Sequence, residues 1–84
     1  MEVDWVQEFE TVGQSLRLGM VAQGCAALVP CLDQLESLLP ELRPELTHLI
    51  LAHMGKALAA QERNDYLLVA DLLEYEIAPL LKKL

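Results

Sequence analysis

The stretch RNDYLLVADLLEYEIAPLL, residues 63–81, constrains this chain more than any other. A polar turn, Arg63-Asn64-Asp65, opens onto a segment in which Tyr66, Val69, Ala70, Leu73, Ile77, Leu80, Leu81 and Leu84 share one helical face. That spacing predicts a helix with an apolar stripe. Leu67, Leu68 and Leu72 lie outside the stripe or at its edge, beside a wet face of Asp71, Glu74, Ala78 and Lys82. A helix apolar over more than half its circumference is buried on more than one side. In so short a chain, each helix touching two neighbours would widen the stripe, but the surplus also suits an interface with a second copy or a partner.

Three further segments carry helical periodicity. The first runs through Trp5, Phe9, Val12, Leu16 and Met20, with Asp4 and Gln7 placed as a capping box. The second runs through Cys25, Leu28, Leu32, Leu35 and Leu39, with Pro30 predicting a kink or a late start and Pro40 a stop. The third opens at Pro44, suited to a first helical position, and runs through Leu46, Leu49, Ile50, His53, Ala57 and Ala60 to about Glu62. It carries Leu51, Met54 and Leu58 off its main stripe. Asp65 is placed to cap the fourth helix, and Pro79 to bend its last turns. A shift of 42 residues brings Gly13 onto Gly55, Leu16 onto Leu58 and Leu35 onto Ile77, as two related helix–turn–helix units would.

The expected fold is therefore all-α: one domain over residues 1–84, an antiparallel four-helix bundle built from two helix–turn–helix hairpins. Leucine, at nineteen copies in 84 residues, dominates a composition low in aromatic residues, which favours helices over sheets. A chain of this size builds only a modest core, so self-association as a homodimer is expected.

The net charge of −7 argues against nucleic acid and anionic membranes as partners. No apolar run has the length of a membrane span, and the opening Met-Glu-Val-Asp lacks the cationic start of a signal peptide. A cytoplasmic location is expected. Cys25 and Cys31, six residues apart, would rise about 9 Å apart on one helix, too far for a disulfide. They read as reduced core thiols.

Residues with catalytic chemistry do not assemble into a pattern. Asp71 and Glu74 are neighbours on one helical face, Glu76 points elsewhere, and a solvated face accounts for them. His48 and His53 stand about 140° apart around a helix and cannot share a metal. Glu45-Leu46-Thr47-His48 has the E-x-x-H form of di-iron helical proteins, but those sites need two such pairs and two further glutamates. A dimer could supply the second pair, so a dimeric carboxylate/histidine metal protein is the alternative. The favoured expectation is a non-enzymatic interaction module, an adaptor or small chaperone, with no cofactor. Its contact residues would be Leu51, Met54 and Leu58 on the third helix and Leu68, Leu72 and Tyr75 on the fourth.

The segment ALAAQERNDYLLVADLLEYE, residues 57–76, resembles segments of small helical proteins of bacteria. In size, acidity and helix–turn–helix organisation the chain is also loosely similar to the small export chaperones of flagellar and type III systems. That similarity implies a partner-binding role and places no particular residue.

Overall fold

The computed structural model describes residues 4–83; Leu84, placed by its spacing on the apolar stripe of the fourth helix, lies outside the described residues. The all-α expectation holds, and no strand occurs among the described residues. Helix α1 spans Trp5–Arg17 and α2 spans Val21–Leu38, followed by one turn of 3-10 helix at Leu39–Glu41. Helix α3 spans Pro44–Glu62. The fourth helical span has three parts: α4 at Tyr66–Asp71, a π-helical segment at Leu72–Ile77 and α5 at Ala78–Lys82.

Local chemistry sets these boundaries. The Asp4 carboxylate accepts from the Gln7 N–H at 3.2 Å and caps α1. The reciprocal arm of the capping box does not form, because the Gln7 side chain donates to Thr11 Oγ1 instead. Gly19 turns the chain between α1 and α2 at φ +82°, a left-handed conformation that favours glycine. Pro44 opens α3 as its missing N–H allows. Asn64 takes the left-handed φ of 60° after α3, and Asp65 accepts from the Leu68 N–H to cap α4. Helix α2 starts at Val21 and runs through Pro30, so the late start is not what occurs.

Pro79 does not end the fourth span. Upstream of it the ladder loosens from four-residue to five-residue spacing, and the Ala78 N–H bonds to the Leu73 carbonyl. A proline lacks one N–H and crowds the carbonyl four residues back; a wider turn relieves that crowding. The wider turn also carries an extra residue, which rotates everything downstream by roughly one residue's 100°. Ala78, placed with Asp71 on the wet face by α-helical spacing, is therefore fully buried.

The fourth span lies between α1 and α3 and packs on both. Helix α1 also packs on α2, whereas α2 and α3 do not pack along their lengths. The outer helices each bury one stripe: Gly24, Leu28, Cys31 and Leu35 on α2, and Ile50, Met54, Ala57 and Ala60 on α3. The central span buries Val69, Ala70, Leu72, Leu73, Ile77, Ala78 and Leu81, a far wider arc. Two helical neighbours thus account for much of its surplus apolar surface. The Cα extents of 34 × 31 × 18 Å describe a slab.

Candidate functional site

Two features stand out from the plain packing. The first is an ion-pair cluster around the π-helical segment. Arg17, in the last turn of α1, reaches Asp71 at 2.7 Å and Glu74 at 3.2 Å. Its guanidinium also lies 5.3 Å from the centre of the Tyr75 ring. The hydrogen bond to Asp71, with the negative charges of both carboxylates, raises the Arg17 pKa above its ordinary value. Glu74 is not on a solvated face as the spacing suggests: its side chain is only 13% exposed. A Cβ at Gly13 would stand 2.5 Å from Glu74 Oε1, so the bare glycine backbone makes room for the carboxylate. Gly55 has nothing among the described residues within 4 Å of its Cβ position, so the two glycines matched by the 42-residue shift are not equivalent.

On the other side of the same segment, Glu76 lies 3.6 Å from His53 Nε2 on α3. The π segment therefore directs one glutamate to α1 and another to α3. Glu74 Oε1 and His53 Nδ1 are both buried without a hydrogen-bond partner among the described residues. Such groups carry a desolvation cost of about 1–3 kcal/mol each.

The second feature is the open side between α2 and α3. Two side-chain hydrogen bonds cross it, one near each end. Gln61 Nε2 donates to Cys25 Sγ at 3.6 Å, and Thr47 Oγ1 donates to the Leu39 carbonyl at 3.3 Å. The start of α2 is thereby level with the end of α3, and the end of α2 with the start of α3. Helical spacing from Cys25 puts Val29, Leu32 and Glu36 on one stripe of α2; from Gln61 it puts Leu58, Met54 and Leu51 on one stripe of α3. The shared register brings Val29 level with Leu58, Leu32 with Met54, and Glu36 with Leu51. Val29 is 58% exposed, Leu51 47% and Leu58 44%.

The six residues read as contacts from the sequence separate accordingly. Leu51 and Leu58 border the open side. Tyr75 is exposed but belongs to the Arg17 cluster, away from them. Leu68 is half-buried against the core. Met54 and Leu72 are each only 7% exposed and sit within the chain's own packing, Met54 where the Leu51–Leu58 stripe meets the buried stripe of α3 and Leu72 in the π segment. Neither presents a free surface. The main apolar stripes of the sequence do not single out Val29; its signal is the four-residue step from Cys25, masked by the stronger Leu28–Leu32–Leu35 stripe.

Glu45 and His48 are both exposed on α3, and no group of three or more His, Cys, Asp or Glu side chains with metal-binding placement occurs among the described residues. Cys31 is buried, and desolvation, with a smaller effect of the Glu8 charge, pushes its thiol up to about 11. Both cysteines are free. No helix among the described residues is long and apolar enough to cross a membrane.

Fold and site together define a small all-α domain whose unusual features are a π-helical ion-pair cluster and one apolar side left open, with no pocket among the described residues. The chain belongs to the family described as Domain of unknown function (DUF8042), whose model matches residues 5–84. No curated protein and no solved structure matches it.

Proposed function

We propose that this domain is a non-enzymatic protein–protein interaction module, an adaptor or small chaperone. In this reading two antiparallel helical hairpins form the body, and the work is done by covering apolar helix faces. The carrying observation is the open side, where Val29, Leu51 and Leu58 remain exposed between two helices that do not pack along their lengths. Val29, Leu51 and Leu58 are about half exposed, so covering them would contribute about half of the roughly 1.5–3 kcal/mol that full burial of each gives, and further contacts at the rim must help to meet the cost of association. The looser similarity to small export chaperones points the same way. The covering surface belongs to a second copy or to another protein.

Sedimentation velocity on the wild type and on a Val29→Glu/Leu58→Glu variant tests this reading, with helicity followed by circular dichroism. A dimer that becomes a helical monomer in the variant supports association through this side. A monomeric wild type discards the homodimer form and leaves a different protein as partner. Loss of helicity in the variant at every concentration would mean that the two helices close on each other and the surface does not exist.

A further inference from the structure

We infer that the open side between α2 and α3 receives a basic amphipathic helix from another protein, an inference that rests on the interaction-module reading above. Three carboxylates border the apolar residues. Asp33 follows Val29 by four residues, Glu36 follows Leu32 by four, and Glu62 follows Leu58 by four. Each therefore lies one helical turn from an apolar residue of this side. None of the three is in an ion pair among the described residues.

Cations are largely absent from this rim. Helix α2 contains no lysine or arginine, and the one lysine of α3, Lys56, faces away from the Leu51–Leu58 stripe. Arg43 and Arg63 lie outside the two helices, at their junctions with the turns. Arg17 is committed to Asp71 and Glu74, and Lys82 lies 3.7 Å from Glu10. This side therefore combines exposed apolar residues with carboxylates that are in no ion pair among the described residues.

The matching ligand has apolar residues at positions i, i+3 or i+4, and i+7, flanked by lysine or arginine. From Cys25 to Glu36 the stripe rises about 16 Å, enough for roughly three turns of a docked helix. A second copy of this chain fits less well. A symmetric pairing through this side would set the same carboxylates against each other, on chains that each carry a net charge of −7. Like charges facing across an interface oppose association and slow encounter.

The test uses a labelled leucine/lysine peptide of roughly fourteen residues with leucines at helical spacing, and a leucine/glutamate peptide of the same pattern. Fluorescence anisotropy reads binding to the full chain. The lysine peptide should bind and the glutamate peptide should not. Val29→Glu/Leu58→Glu should weaken the lysine peptide by about tenfold or more although it adds negative charge, because the apolar contact is lost. Leu67→Glu, which alters an exposed leucine of α4, should leave affinity unchanged. Asp33→Lys/Glu36→Lys/Glu62→Lys should weaken binding and flatten its salt dependence. Equal affinity for both peptides, or an equal loss in Leu67→Glu, overturns the inference. If neither peptide binds while the wild type dimerises through Val29 and Leu58, the occupant is a second copy: the inference fails and the interaction-module reading stands. If neither peptide binds and the wild type is monomeric, the inference fails, and so does the homodimer form of the interaction-module reading.

Discussion

Replacing Gly13 by alanine should destabilise the domain, and the same change should stabilise it once Glu74 is removed. Within a helix, alanine gains about 1 kcal/mol over glycine through its smaller loss of backbone entropy. At Gly13 the new Cβ would stand 2.5 Å from Glu74 Oε1, 2.6 Å from Cγ and 2.9 Å from Cδ, where ordinary contact begins at 3.4 Å. Glu74 must then move as a whole side chain, disturbing its 3.2 Å contact with Arg17. Overpacking of this kind costs about 1–3 kcal/mol. The balance is a net loss of about 1 kcal/mol in the wild-type background. In Glu74→Ala the obstructing atoms are absent and the helical gain of about 1 kcal/mol should appear alone. The coupling between the two sites is thus about 2 kcal/mol, within reach of a double-mutant cycle. Urea unfolding followed at the helical circular dichroism band would measure it, supported by thermal midpoints that move roughly 4–8 °C per kcal/mol in a domain of this size. A Gly13→Ala variant that is more stable than wild type would refute the reasoning, since Glu74 would then have a conformation that leaves α1 at no cost.

Other expectations follow from burial and protonation. Leu72→Ala should cost about 2–5 kcal/mol by urea denaturation, as a core truncation does, whereas Leu67→Ala should stay within about 0.5 kcal/mol; the reverse order would restore Leu72 to a surface role. Asp65→Ala should cost about 1 kcal/mol by removing the acceptor of the Leu68 N–H, read as a lower unfolding midpoint. Cys31 holds its proton up to about pH 11 in the fold, against the ordinary 9.0 of a free thiol. Between those values the folded state binds more protons than the unfolded state, so stability is intact below pH 9 and falls as pH rises towards 11. That contribution should amount to about 1 kcal/mol by pH 10, seen as the difference between the pH profiles of wild type and Cys31→Ala. In native buffer at neutral pH a thiol reagent should modify half-buried Cys25 well before buried Cys31, checked by mass spectrometry.

Much of the fold is legible in the sequence because local rules and tertiary packing agree there. Pro44 opens α3, Asp4 and Asp65 cap their helices, and Phe9, Val12, Leu16, Leu28, Leu35, Ile50 and Leu73 are core positions read directly from helical spacing. The fourth span is where the reading loses phase. A period of 3.6 residues applied through Pro79 puts Glu74 and Ala78 on the wet face. The five-residue ladder of Leu72–Ile77 turns both inward, Glu74 against Gly13 and Ala78 into the core. A single proline signals a disturbance, but it does not say whether the helix will bend, stop or widen, because that depends on what packs around it.

The surplus apolar surface of the fourth span is where neighbour packing and partner binding have to be separated. Leu72 is apolar because its helix lies between α1 and α3, so internal packing accounts for it. Leu51, Leu58 and Val29 have no such account, since α2 and α3 have few partners within the chain and bury only one stripe each. The same width of stripe therefore has opposite meanings on a central and on an outer helix. Helical spacing gives the width but not the number of neighbours, which is a tertiary property. The chain's own packing thus shifts the proposed contact surface away from the fourth helix, where the apolar density is greatest, to the facing sides of α2 and α3. There the exposed apolar residues lie within one turn of unpaired carboxylates, a combination that a cationic helix can satisfy on both counts.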